Sequence, residues 1–140
     1  MSGKFFEELR VGDSAEMVST VTEGTIQKFA EVSGDDNPIH LDAEYAATTQ
    51  FGERIAHGML SAGFISAVIG TKLPGPGCIY LSQSLRFKRP VKIGDEVTAR
   101  ATITALDADK GRATFETVCT VAGKPVIEGE ALVMVPRKGS

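Results

Sequence analysis

The segment from His57 to Ile69 reads HGMLSAGFISAVI, and it decides the fold. As a helix it is apolar almost all the way round, with small residues interspersed, and such a helix has to be surrounded by protein. The apolar run at 59–70 spans only about twelve residues, well short of the roughly twenty that cross a bilayer. We therefore expect a long helix at the centre of a protein core.

Runs of strand-like alternation flank this segment. In one of them Val97, Ala99, Ala101, Ile103 and Ala105 fall on the same face. The connections at 107–111 and 122–124 are short enough for hairpins, so neighbouring strands should be antiparallel. Five strands around one buried helix predict an α+β fold, and sheet edges that need covering favour a dimer. The predicted strands are Ser14 to Val21, Cys78 to Phe87, Glu96 to Leu106, Arg112 to Val121 and Pro125 to Val135.

Helix signals precede the core segment. Thr22 is placed to cap a helix that ends near Gly34. Pro38 cannot continue that helix, so we expect a structured loop after it. Asp42 then caps a short helix over 43–47.

Composition limits the classes of function. A length of 140 residues, with 42% hydrophobic and 24% charged residues, is typical of one globular domain, which we assign to residues 1–140. A net charge of −3 argues against nonspecific nucleic-acid binding. The amino-terminal residues lack a secretory pattern, so we expect a cytoplasmic protein that does not bind membranes. Cys78 and Cys119 form no C-x-x-C pair and are interpreted as buried thiols rather than a disulfide or metal site.

Asp35 and His40 are the first candidates for chemistry. They lie five positions apart around Pro38, so a tight turn can bring a carboxylate and an imidazole together. An acid and a base held together can add or remove water. The alternative is that Asp35 caps a turn and His40 binds backbone in a loop, and spacing alone leaves both open.

His57 and Gly58 open the core helix. The first amide groups of a helix have no internal acceptor and lie at its positive end, so an oxyanion could bind there. Glycine lets a ligand approach the backbone closely. Alternatively, Gly58 serves only close packing and His57 is the helix cap.

The stretch GDDNPIHLD at 34–42, followed by IAHGML at 55–60, is similar to the motif of the MaoC-like (R)-specific enoyl-CoA hydratases. Further similarity runs through 73–75, 79–91 and 94–97, so the resemblance covers most of the chain. It implies a hot-dog fold, in which an antiparallel sheet wraps a long helix and two subunits form a homodimer. It also implies reversible syn addition of water to trans-2-enoyl-CoA, giving (R)-3-hydroxyacyl-CoA.

The resemblance also implies roles for individual residues. Asp35 and His40 would be the catalytic pair, with the acid and base roles left open because a coupled pair shares its protons. The Gly58 amide would hold the thioester oxygen. Residues expected to contact or shape the substrate site are Asn37, His57, Ser66 and Ile69.

Several of these assignments have simpler alternatives. Ser66 and Ile69 would line an acyl tunnel, or they are ordinary packing residues of a central helix. Arg86, Lys88 and Arg89 would meet the phosphates of coenzyme A, or they form a solvated surface. No metal or redox cofactor is expected, and coenzyme A enters only as part of the acyl-CoA substrate.

Two other functions stay open on the same fold. An acyl-CoA thioesterase would direct water at the carbonyl carbon, although such enzymes usually rely on a carboxylate without the neighbouring histidine. A noncatalytic acyl-CoA-binding subunit would not need both Asp35 and His40.

Overall fold

The fold is organised around the helix at Gly58–Thr71 in a computed structural model that describes residues 2–139. In chain order the strands are β1 (Ser14–Thr20), β2 (Ile79–Gln83), β3 (Arg86–Phe87), β4 (Glu96–Asp107), β5 (Arg112–Val121) and β6 (Lys124–Met134). The helices are α1 (Glu23–Ser33), α2 (Pro38–Leu41), α3 (Ala43–Ala47) and α4 (Gly58–Thr71). None of the helices in this part of the chain has the length and apolar character needed to cross a membrane.

One antiparallel sheet wraps α4. Its order is β1-β4-β5-β6-β2, and β3 also pairs with β6. Helix α4 packs against β1, β4, β5 and β6 and buries Ile65, Val68 and Ile69 completely. The inward side chains of β4 meet it from the sheet and belong to the same hydrophobic cluster. The expected α+β arrangement, an antiparallel sheet around a central helix, is confirmed. The helix is not surrounded within this chain, because Met59, Gly63, Ser66 and Gly70 are exposed.

The predicted number of strands was wrong, because the described chain has six. The predicted strand from Cys78 to Phe87 is two strands, β2 and β3, which both pair with β6. Between them the backbone of Ser84 crosses directly over Gly129, where an added Cβ would lie 1.9 Å from the Ser84 carbonyl oxygen. The Ser84 hydroxyl accepts a bond from the Glu130 amide, while the Ser84 amide donates to the Glu130 carbonyl oxygen.

The predicted inward face of β4 holds for four of its five residues. Val97, Ala99, Ala101 and Ile103 are at most 1% exposed. Ala105 is exposed because the register with β5 shifts between Ile103 and Ala105. A bulge inserts one residue and reverses the faces that follow it.

The helices before α4 follow the predicted caps, with one addition. Thr22 accepts a bond from the Thr25 amide at 3.1 Å, and α1 ends at Gly34, whose φ is 79°. The segment after Gly34, expected as a loop, contains the short helix α2. Pro38 starts it, since proline fits the first turn of a helix, where no amide donor is needed.

Cys78 and Cys119 are both free thiols, as expected. Cys119 is buried as predicted, whereas Cys78 is only half-buried. Burial raises the pKa of Cys119 to about 12, so its thiol stays protonated near neutral pH and donates to the Ser61 carbonyl oxygen at 3.5 Å.

Candidate active site

The loop between α1 and α2 is held by its own polar side chains. The Asp35 carboxylate accepts a bond from the Asn37 amide at 3.3 Å. The Asn37 side chain in turn accepts from the Ile39 amide at 3.1 Å and so caps α2. Through these bonds the loop takes one shape, which places His40 in the last turn of α2.

His40 is buried and its orientation is fixed. Its Nδ1 lies 2.7 Å from the carbonyl oxygen of Ile55. Because a carbonyl oxygen only accepts, Nδ1 carries the proton and donates it to this bond. In the neutral ring Nε2 is then the nitrogen that can take a proton from a ligand.

His57 joins this loop to α4. Its Nε2 donates to the backbone oxygen of Asp35 at 2.8 Å. Its ring stacks on that of His40 with centroids 3.7 Å apart and planes at 27°, while Phe29 lies tilted against it at 4.8 Å. His57 occupies the cap position of α4, as the alternative interpretation of this residue had it, although its side chain makes no capping bond.

The predicted pair therefore comes together. Asp35, His40 and His57 each offer an atom of the ligand type, and these atoms lie within 4.8 Å of one another. A water molecule bonded to two groups at about 2.8 Å each separates them by about 4.5 Å, so the spacing suits a bridging water. Both predicted alternatives also hold in part, because Asp35 accepts a backbone bond in its turn and His40 donates to backbone.

The same three residues are the group among residues 2–139 whose atoms could meet a metal ion. A tetrahedral Zn²⁺ with bonds near 2.0–2.1 Å needs donors only about 3.4 Å apart. One nitrogen of each imidazole is already committed to a backbone carbonyl. These three side chains can share protons, and the expectation of no metal stays a prediction.

Gly58 begins α4 one residue after His57. Its amide has no acceptor within the helix and lies at the positive end of the helix dipole. A Cβ at this position would lie 2.5 Å and 2.7 Å from two carbons of the Phe87 ring. Only glycine therefore allows the aromatic ring to lie against the backbone here.

A cavity of about 330 Å³ opens beside the first turn of α4. That is within the range of small-ligand sites. Backbone and side chains from four segments line it, mostly with apolar groups. The lining includes Phe51, Ile55, Gly58, Ser61, Phe87 and Ile127.

The structure places the remaining predicted residues apart from this cavity or at its rim. Ser66 is exposed on α4, and Ile69 is fully buried in the core; neither lines the cavity, and their tunnel role stays a prediction. Lys88 and Arg89 are exposed and line the cavity. Lys88 also pairs with Glu128 at 3.7 Å, and Arg89 donates to the Pro125 carbonyl oxygen at 2.7 Å.

Sequence reasoning missed three residues at this site. Phe29 lies against His57, and Phe87 covers Gly58, but an aromatic residue in an amphipathic helix or strand gives no specific signal. Ser61 did carry one, since it is a polar residue one turn beyond Gly58 in a mostly apolar helix.

Comparisons with known proteins identify the family and the fold of this chain. The family model described as "MaoC like domain" matches residues 11–130. The chain belongs to the MaoC-like family. Its antiparallel sheet around α4 is the hot-dog fold that the resemblance implied.

Among its MaoC-like relatives, the chain is 60% identical over 135 residues to an (R)-specific enoyl-CoA hydratase of Rhodospirillum rubrum, covering 96% of this chain and 94% of that protein. The R-hydratase PhaJ1 of Pseudomonas aeruginosa superposes with a TM-score of 0.92 at 52% identity, covering 97% and 88% of the two chains. The (R)-hydratase of A. caviae involved in PHA biosynthesis superposes with a TM-score of 0.90 at 46% identity, covering 93% of this chain and 99% of that chain.

Proposed function

We propose that this protein is an (R)-specific enoyl-CoA hydratase, a hydro-lyase that reversibly converts trans-2-enoyl-CoA and water into (R)-3-hydroxyacyl-CoA. One observation carries the proposal. Asp35 and His40 offer polar atoms within 4.8 Å of one another beside the first turn of α4, in a chain 60% identical to a hydratase of that specificity. A carboxylate, an imidazole and a helix-start amide are the groups that hydration of a conjugated thioester requires.

In this proposal Asp35 and His40 hold the attacking water between them. The pair removes one proton as the water oxygen bonds to the β-carbon of the enoyl thioester. The electrons of the double bond move to the thioester oxygen, where the Gly58 amide stabilises the negative charge. A proton from the same pair then reaches the α-carbon on the same face, which gives syn addition. The pair shares its protons throughout, so the acid and base roles belong to both groups.

In the proposal Asn37 and His57 hold the side chains of this pair in place. The Asn37 side chain fixes the turn before α2, and the His57 ring packs flat on His40. His57 also holds the backbone of Asp35 through its Nε2. In the proposal both residues serve substrate binding by fixing the loop that grips the water.

The acyl and coenzyme A parts of the substrate meet different surfaces. The apolar cavity beside Gly58 suits an acyl chain, while Ser66 and Ile69 lie further along α4. The exposed cations Lys88 and Arg89 at the cavity suit the phosphates of coenzyme A. No separate cofactor takes part in the proposed steps, so we expect turnover to survive treatment with a metal chelator.

We further propose a cytoplasmic homodimer. Strand β2 lies at the end of the sheet order and exposes two apolar residues, Ile79 at 56% and Leu81 at 39%. An open apolar edge is a surface that a second copy can cover. Sedimentation of the purified protein at micromolar concentration should give twice the chain mass, and a monomer would contradict this part of the proposal.

One assay with crotonyl-CoA tests the activity. Hydration removes the absorbance of the conjugated thioester without releasing free thiol, and the product should be the (R) enantiomer. Release of thiol would instead identify a thioesterase, and binding without either signal would identify a noncatalytic acyl-CoA-binding protein. An (S) product would contradict the proposed stereochemistry alone.

A further inference from the structure

Ser61 is a buried polar residue whose hydroxyl is unused. Its exposure is 0%, and its Oγ has no hydrogen-bond partner among residues 2–139. A serine within a helix often donates to the carbonyl four residues earlier, which here is that of His57, but the Ser61 hydroxyl does not make this bond. A buried hydroxyl without a partner is unfavourable unless a ligand or water satisfies it.

Ser61 lies where substrate is expected. Ser61 lines the cavity beside α4 together with Gly58, three residues earlier on the same helix. Residues three apart share one helix face, and side chains tilt toward the amino terminus. The Ser61 side chain therefore leans back toward the level of the Gly58 amide.

The backbone around Ser61 is already fixed by other contacts. Its carbonyl oxygen accepts from the Cys119 thiol at 3.5 Å. Around the hydroxyl the cavity is largely apolar, with Phe87 and Ile127 among its walls. In such surroundings a single donor interacts strongly with a developing charge.

We propose that the Ser61 hydroxyl donates a second hydrogen bond, beside that of the Gly58 amide, to the thioester oxygen of the bound acyl-CoA. This role rests on the proposed hydratase function. Negative charge grows on that oxygen as water adds to the β-carbon, so the bond strengthens in the transition state. Its loss should lower kcat more than it raises KM.

The kinetic test replaces Ser61 in two ways. Ser61→Ala removes the hydroxyl, and Ser61→Cys keeps nearly the same shape with only a weak donor. Both should lower kcat for crotonyl-CoA by about 10-fold to 1,000-fold with KM changed less than about threefold. The Tm of Ser61→Ala should stay level or rise, because an unsatisfied buried hydroxyl is removed.

Thr117→Val is the matched control. Thr117 is also fully buried, but its hydroxyl accepts a bond from Gln83 Nε2 at 2.8 Å. Its loss should lower Tm and leave kcat within about twofold. If Ser61→Ala also lowered Tm while kcat stayed near wild type, the hydroxyl would be structural and the inference wrong.

A spectroscopic measurement separates this inference from the proposed function. Butyryl-CoA cannot be hydrated, so the carbonyl stretch of the bound thioester reports only the hydrogen bonds to its oxygen. The band should lie at higher frequency in Ser61→Ala than in wild type or Thr117→Val. An unchanged band with active wild-type enzyme would overturn the inference alone. A shifted band with inactive wild-type protein would overturn the function alone, and failure of wild-type protein to bind butyryl-CoA would overturn both.

Discussion

The two ends of α4 are built differently. At the carboxyl end the amides of Lys72 and Leu73 both donate to the Val68 carbonyl, and the Gly75 amide donates to the Ile69 carbonyl. The chain then continues through buried residues 73–75. These bonds satisfy helix carbonyls that would otherwise lack partners.

The amino end is left open. The His57 side chain makes no capping bond with the helix, and its Nδ1 has no partner among the described residues. The Ser61 hydroxyl is likewise buried and unpaired there. The polar groups at the carboxyl end of α4 are therefore satisfied within the protein, whereas the amino end leaves unpaired donors and acceptors that a ligand can bind. The loop with Asp35 and His40 packs against this open end through His57.

The largest effect should come from removing the proposed acid-base pair at the open end. Asp35→Asn and His40→Gln each take away one of the two groups proposed to exchange protons with the attacking water. We expect kcat with crotonyl-CoA to fall by about a hundredfold to ten-thousandfold. Asp36→Asn is the matched control, since Asp36 is an exposed neighbouring carboxylate, and it should keep turnover within about twofold.

Circular dichroism has to show that both variants are folded before their rates are compared. A folded Asp35→Asn or His40→Gln protein with near-normal turnover would remove that residue from the mechanism. If Asp36→Asn were as damaging as Asp35→Asn, the loss would reflect the charge of the loop rather than proton transfer.

A smaller effect should come from closing the amide at Gly58. In Gly58→Ala the new methyl group meets the Phe87 ring. In the proposed mechanism it also obstructs the approach of the thioester oxygen to the amide. We expect kcat/KM to fall by about 10-fold to 100-fold, since one oxyanion donor contributes about that much or more. Gly63→Ala lies in the same helix with open space around its new methyl group and should retain activity.

The double variant Gly58→Ala/Phe87→Ala shows which contact matters. Phe87 is 55% exposed, so its ring can turn away. If the methyl group blocks the amide, removing the ring restores little activity. Full recovery in the double variant would mean that displacement of Phe87, rather than loss of the amide site, causes the defect.

Local sequence predicted the sheet and the loop that contains Asp35 and His40. It did not predict the division between β2 and β3 or the unpaired polar groups at the amino end of α4. Alternation placed Val97 and Ile103 inward because a strand has a period of two. The exposure of Ala105 and the division between β2 and β3 depend on register with a neighbouring strand. A bulge leaves no mark on hydrophobic alternation until the partner strand is known.

The candidate site shows the same division. Pro38 and Asn37 define their own turn, so the approach of Asp35 to His40 followed from residues close in sequence. The contacts of Phe29 with His57 and of Phe87 with Gly58 join distant segments. That Ser61 lacks a partner depends on every element around it, so the sequence showed only a polar residue in an apolar helix.

The smallest effect should come from the closed end of α4. Gly75 has a φ of 85°, and an added Cβ would lie 3.3 Å from Gly3 Cα. Gly75→Ala should lower the free energy of unfolding by about 1–3 kcal/mol, measured by urea denaturation, because a side chain is strained in this conformation. It should leave kcat within about twofold, since the donors at the other end are untouched.

Gly12→Ala separates the two causes of that loss. Gly12 has a φ of 97° but nothing within 4 Å of its added Cβ, so its variant reports backbone strain alone. Any further loss in Gly75→Ala then measures the close approach of the amino-terminal segment to the helix end. If Gly75→Ala instead lowered kcat as much as Gly58→Ala while staying folded, the two ends of α4 would both act on substrate. The division between a closed structural end and an open binding end would then be wrong.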